Sequence, residues 1–237
     1  LMGAEVITHE FPTKEVFSGV TVGINDGDRI GIVGRNGDGK STLVKILTKQ
    51  FAPDSGRVTW RGGLRIGFLT QVDVIDDEIS IAEAVVGDRP EFEWASDPKI
   101  RDVLSGLVAD LDWHQKVGTL SGGQRRRVAL AALLAGEYDV VFLDEPTNHL
   151  DVDGVAWLAN HLQTRWPKNV GGLAVITHDR WFLDAVCNLT WEVYGGRIEP
   201  FEGGYAAYVQ QRAERSRQAD AIESRRQNLL RKELAWL

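Results

Sequence analysis

The segment Gly34-Arg35-Asn36-Gly37-Asp38-Gly39-Lys40-Ser41-Thr42 constrains this chain more than any other. It has the spacing G-x-x-x-x-G-K-[ST], with an apolar strand-like run, Ile30–Val33, before it and a helix-like run from Gly39 to about Gln50 after it. Glycines let such a turn fold into a concave nest of backbone N–H groups, and the helix that follows points its positive end at the same place. The arrangement predicts a phosphate cradle in an α/β fold. Lys40 is placed to reach the β and γ phosphates of a nucleotide, and the Ser41 hydroxyl to ligate Mg²⁺. Asp38 is an anion beside a site for anions; its carboxylate either faces solvent or caps the turn locally.

Composition is that of an ordinary globular domain, with 43% hydrophobic and 26% charged residues in 237. The longest unbroken apolar run, Val128 to Ala135, is far too short to cross a bilayer. No signal-peptide core is visible near the start, and the single Cys187 excludes a disulfide framework or cysteine-rich metal site. The expectation is a soluble cytoplasmic protein. The net charge of −7 argues against a protein that coats nucleic acid over its whole surface. From Gln211 onward, however, seven Lys/Arg stand against four acids. A localised contact with something anionic and an ordinary solvated helix are both consistent with that tail.

Further along, Val140-Val141-Phe142-Leu143 and Leu173-Ala174-Val175-Ile176 are continuous apolar strands of the kind buried on both faces of a parallel sheet. The first ends in Asp144-Glu145 and the second in Thr177-His178. Side chains at the carboxyl ends of parallel strands meet the crevice where α/β proteins bind ligands. There Asp144 could hold Mg²⁺ through water, and Glu145 could polarise an attacking water as general base. Acids after a strand are also common helix caps. His178 could bond a γ-phosphate or orient the water, and the amide of Gln71 could touch metal and water. Leu120-Ser121-Gly122-Gly123-Gln124 opens a helix running to about Ala135, and Ser121 with Gln124 makes a capping-box pattern. Two glycines directly after a cap cost about 1 kcal/mol each, which points to close approach of another group; the helix dipole favours a phosphate. Residues 79–112 read as polar helices broken at Gly87, Asp88-Arg89-Pro90 and Asp97-Pro98. From Tyr205 to Leu237 there is no Gly or Pro, which predicts one long helix.

Taken in register, these motifs resemble those of ATP-binding cassette (ABC) ATPases over nearly the whole body. Gly34–Thr42 matches the Walker A loop, Gln71 the Q-loop, Leu120–Gln124 the LSGGQ signature, Asp144 the end of Walker B, Glu145 the catalytic acid, Pro146–Asp151 the D-loop and His178 the switch histidine. The resemblance implies a P-loop NTPase of ABC type: an antiparallel β subdomain, a parallel catalytic core sheet and a helical signature subdomain, followed here by a long C-terminal helix. It implies an ATPase domain over 1–204, with a helical signature lobe at about 75–136, and the start of a truncated basic helical linker over 205–237. ATP and Mg²⁺ are the implied ligands. Phe11 falls where the family stacks an aromatic on adenine. Ser121, Gly122, Gly123 and Gln124 would serve the ATP held by an opposite cassette, so full activity would need a pair.

The strings Glu145-Pro146-Thr147-Asn148-His149-Leu150-Asp151 and Thr177-His178-Asp179-Arg180-Trp181-Phe182-Leu183-Asp184 resemble family F, the twin-cassette proteins without a membrane domain. Phe201-Glu202-Gly203-Gly204-Tyr205-Ala206-Ala207-Tyr208 resembles that family's F-x-G-N-Y-x-x-Y stretch, with Gly204 in place of Asn. Lys232-Glu233-Leu234-Ala235-Trp236-Leu237 resembles entry to the inter-cassette linker, particularly in the Uup-like group. On this resemblance the chain is a first cassette plus the start of the linker, acting on the ribosome and tRNA, with branched DNA as an alternative partner. The other reading is the ATPase subunit of a membrane transporter. The 49 residues between Gln71 and Ser121 leave little room for the arm that many relatives insert there.

Overall fold

Strand patterning sorts the chain into two sheets, in a computed structural model that describes residues 1–12, 14–69 and 75–234. β1 (Met2–Phe11) and β2 (Lys14–Ile24) form an antiparallel hairpin that pairs Met2 with Ile24 at one end and Phe11 with Lys14 at the other, with register shifts between Ala4 and Glu10. β3 (Arg29–Val33) leads through the glycine-rich turn into α1 (Lys40–Leu47), and β4 (Ser55–Trp60) returns to pair with β1. The three-stranded sheet has the order β2-β1-β4.

β5 (Ile66–Leu69) is followed by α2 (Ile81–Val86), α3 (Glu91–Trp94) and α4 (Pro98–Leu107), broken where Gly87 and Asp97-Pro98 predict. Gly87 caps the end of α2, while the Asp97 side chain accepts from Lys99 N–H to start α4. None of these helices exceeds ten residues, so the described part of 75–120 holds no long arm. Then come α5 (Gly122–Ala135), β6 (Val140–Asp144), α6 (Val152–Thr164), β7 (Gly172–Ile176), α7 (Arg180–Val186), β8 (Leu189–Tyr194), β9 (Arg197–Glu202) and α8 (Tyr205–Leu234). Residues 235–237 of the expected linker helix lie outside the described residues.

The second sheet has the order β5-β6-β7-β3-β8-β9 and is parallel except for the β8–β9 hairpin. Every residue of β6 and β7 is buried, as their unbroken apolar runs require. Strand alternation divides those residues between two cores. Val140, Phe142, Ala174 and Ile176 join α1 and the antiparallel sheet, whereas Val141, Leu143, Leu173 and Val175 join the helical lobe, α6 and α7. The α/β ABC-type architecture is therefore present: antiparallel subdomain, parallel core sheet and a lobe of helices. Among the described residues no helix is long and apolar enough to cross a membrane.

Candidate active site

The carboxyl ends of β3, β6 and β7, adjacent in the sheet, converge on one cavity of about 660 Å³. β3 delivers the glycine-rich turn. Gly34 has φ 151°, and a Cβ there would lie 2.4 Å from the Val193 carbonyl oxygen. Gly39, the residue before α1, has φ 103°, and its Cβ would meet Val16 Cγ1 at 2.4 Å. Only glycine fits both positions. Lys40 is buried and arches back over the turn, donating from Nζ to the carbonyls of Gly34 (2.9 Å) and Arg35 (3.1 Å). Asn36, Gly37, Gly39, Ser41 and Thr42 line the cavity, and Phe11 stands at its edge, 42% exposed. Arg35 and Asp38 turn instead toward a neighbouring cavity.

Asp38 takes the second of its two expected roles. Its carboxylate folds back to accept the Arg35 N–H (3.1 Å) and lies 3.8 Å from Lys14 Nζ. Lys14, which sequence reasoning missed, also donates to the Gly37 carbonyl (2.8 Å), so the start of β2 braces the turn. Its place two residues after Pro12 carries no pattern that separates it from other exposed lysines.

Asp144 ends β6, only 3% exposed. One carboxylate oxygen, Oδ2, accepts from Ser41 Oγ at 2.8 Å; the other, Oδ1, is buried without a hydrogen-bond partner. An orphaned carboxylate oxygen beside a serine hydroxyl fits a hard divalent cation completed by phosphate oxygens and water, which is the Mg²⁺ chemistry expected of Ser41 and Asp144. The Asp144 carbonyl in turn accepts from Arg126 on α5, which fixes the end of the strand. Glu145 follows with φ 51°, a left-handed backbone that is uncommon outside glycine, held by its N–H donating to Ile176 O at 2.7 Å. That turn aims its carboxylate across the cavity, where Oε1 lies 3.4 Å from His178 Nε2. The Glu145 side chain is 16% exposed and that of His178 66%, so the acid is sheltered while the histidine remains open. Thr147 and Thr177 share a hydrogen bond of 3.0 Å between the segments that follow the two strands.

Two expectations fall elsewhere. Gln71 lies outside the described residues. Ser121, Gly123 and Gln124 line a separate cavity of about 760 Å³ with His149 and Asp151. There the capping box is made: Ser121 N–H donates to Gln124 Oε1 (2.9 Å) and Ser121 Oγ accepts from Gln124 N–H (3.3 Å). Within one chain, the helix start and the phosphate turn do not share a cavity.

A G-x-x-x-x-G-K-S turn at the end of a central parallel strand, flanked by an antiparallel sheet and a helical lobe, defines the P-loop NTPase class of ABC architecture. Comparison with known proteins narrows it. The ABC transporter family matches residues 17–148, and the chain belongs to that family. The "Uncharacterized ABC transporter ATP-binding protein YfmR" of Bacillus subtilis is 33% identical over 279 residues, covering 100% of this chain and 43% of that protein. The "Energy-dependent translational throttle protein EttA" of Haemophilus influenzae is 33% identical over 264 residues, covering 95% of this chain and 47% of the relative. The chain thus spans about half the length of the curated relatives it matches. Among solved structures, a complex of archaeal ribosomal stalk protein aP1 with the archaeal ribosome recycling factor aABCE1 superposes with a TM-score of 0.75 at 27% identity, over 90% of this chain and 41% of that one.

Proposed function

We propose that this chain is a family F cassette, and that residues 34–42 bind the phosphates of ATP for hydrolysis in a pair with a second cassette. In this reading residues 1–204 form the nucleotide-binding domain, with the signature lobe at about 75–136, and 205–237 begin a linker. Phe11 stacks on the adenine, Lys40 and the backbone of the turn hold the β and γ phosphates, and Ser41 and Asp144, with Gln71, hold Mg²⁺. Mg²⁺ held there would supply neutralisation of negative charge on the phosphates. Glu145 takes the proton from the attacking water, and His178 orients the water and γ-phosphate. Ser121, Gly122, Gly123 and Gln124 face the nucleotide of the opposite cassette.

The observation that carries this is the meeting of Ser41 Oγ, the half-satisfied Asp144 carboxylate and the Glu145–His178 pair around one cavity. Calorimetric titration with Mg-ATP tests it. We expect saturable heat for the parent and none for Lys40→Ala; no heat for the parent, or identical heat for both, refutes the assignment. Specific activity should rise with protein concentration, since half of each site comes from a partner.

For the biological role, the names of the relatives favour translation: a translational throttle and a ribosome recycling factor both share this cassette. We place the action on the ribosome and tRNA in the cytoplasm, ahead of branched DNA. A membrane-transporter ATPase is the second reading, favoured by the name of the Bacillus relative. Pull-down from extract with Glu145→Gln and Mg-ATP separates them: ribosomal particles support the first, and a membrane permease the second.

A further inference from the structure

The long helix α8 leaves the body beside the phosphate turn, and its root is fastened there by an unusual set of contacts. Glu192 on β8 is 5% exposed, and it sits directly opposite Val33, the last residue before the turn. Its Oε1 accepts from Tyr208 Oη at 2.8 Å and lies 3.1 Å from Arg212 Nε. Arg212 Nη1 also donates to Tyr208 Oη at 3.3 Å. Tyr208 and Arg212 are one helical turn apart on α8, so the helix grips the carboxylate with two successive turns. A second attachment lies alongside: Asp184 on α7 accepts from the Ala206 N–H at 2.8 Å, and the Arg180 guanidinium lies 5.2 Å from the Tyr205 ring centroid. Arg180 is two residues from His178.

A buried carboxylate is a costly way to fasten a helix, because apolar packing of similar volume holds as well without the desolvation penalty. Burial and Glu192 together push the Tyr208 phenol up to about 12, so it stays a donor. What such a set supplies is direction: the acceptor on β8 and the donors on α8 are satisfied in one relative placement. The path to the nucleotide is short. Lys40 Nζ bonds the Gly34 carbonyl, Gly34 packs against the Val193 carbonyl, and Val193 adjoins Glu192. Lys40, Gly34, Glu192, Tyr208 and Arg212 line one cavity of about 640 Å³.

We propose that Glu192, Tyr208 and Arg212 are positioning residues that couple the phosphate turn to the root of α8, so that nucleotide and helix placement stabilise each other. The proposal rests on reading residues 34–42 as the nucleotide turn. Coupling between sites is reciprocal: if nucleotide steadies the junction, the junction must tighten nucleotide binding by the same factor.

Hydrogen exchange with and without saturating Mg-ATP, read on the turn and on 206–212, tests this alongside fluorescent-nucleotide titration. In the parent we expect Mg-ATP to slow exchange at both places. Tyr208→Phe should weaken Mg-ATP binding about fivefold, at the low end of usual couplings, and erase the nucleotide effect on 206–212 while the turn remains protected. Glu192→Gln, which keeps the shape, should do the same. A purely structural anchor would instead change exchange of 206–212 equally with and without nucleotide, which overturns the proposal. Protection of the turn without any effect on 206–212 in the parent overturns it with no variant needed. Protection at neither place overturns the nucleotide reading and the junction with it.

Discussion

Replacing Glu145 by glutamine isolates proton transfer from everything else at the site. The residue keeps its volume, one acceptor oxygen and the backbone N–H bond to Ile176 that holds φ at 51°. It loses the capacity to take a proton. Lys40, Ser41 and Asp144 are untouched, so Mg-ATP affinity should stay within experimental error of the parent. A positioned general base contributes about 10²–10⁴ in rate, which at 1.36 kcal/mol per decade is about 2.7–5.4 kcal/mol of barrier. The carboxylate is sheltered and 3.4 Å from His178, so bulk water is a poor substitute and the upper part of that range is expected. Single-turnover hydrolysis of γ-labelled ATP, quenched and counted, gives the rate directly. Gel filtration in Mg-ATP should show the variant retained as a pair, since the step that reopens it is blocked. The contrast is Asp144→Asn, which removes the charge beside Ser41 and should weaken Mg²⁺-dependent binding itself. Unchanged hydrolysis by Glu145→Gln, or a fall matched by an equal loss of nucleotide affinity, would refute the role assigned to this side chain.

Three further outcomes follow from the geometry. Gly39→Ala places a methyl 2.4 Å from Val16 Cγ1 at a φ of 103°, so it should cost about 1–3 kcal/mol and lower Tm by several degrees in a thermal melt while abolishing Mg-ATP binding; a neutral effect on both would contradict the packing described. Cys187 is buried and its thiol is pushed up to about 12 by desolvation, so iodoacetamide at pH 8 should leave it unmodified in mass spectra until urea unfolds the chain. His161 is held below its ordinary value of 6.5 chiefly by burial, against the opposing pull of Asp102 at 3.0 Å. Arg165 and Lys99 act in the same direction as burial. The unfolded chain then takes up the proton first. The stability from neutral His161, which joins α4 to α6, is complete above pH 6.5 and drains as pH falls through the lowered folded value. Urea midpoints measured from pH 7.5 to 5 should fall less steeply for His161→Gln than for the parent, and parallel slopes would contradict this.

What the sequence made legible was whatever a few neighbouring residues decide. The turn 34–39 declares its glycines, and the strands 140–143 and 173–176 declare burial on both faces; their carboxyl-terminal acids and histidine then fall at one edge by topology alone. What stayed hidden depends on pairing across long stretches of chain. Arg125, Arg126 and Arg127 are indistinguishable as letters, yet the 100° step of a helix sends them to three destinations: Asp77, the Asp144 carbonyl and Asp110. The short helix α7 was missed because its apolar residues, Phe182, Leu183 and Val186, span too few turns to show a period. The left-handed turn at Glu145 leaves no trace in residue type. The Ser121 helix start shows the limit from the other side. Its residues carry two readings, a helix cap and a phosphate-facing edge; the cap is formed, and the second belongs to the proposed pairing of cassettes. Ser121 and Gln124 satisfy each other, which holds the first turn rigid, while Gly122 faces open space and Gly123 packs against the His149 side chain. In the proposed pair of cassettes, a helix start held rigid by its cap would preorganise the backbone N–H of Gly122 for an anion, so the two readings need not compete.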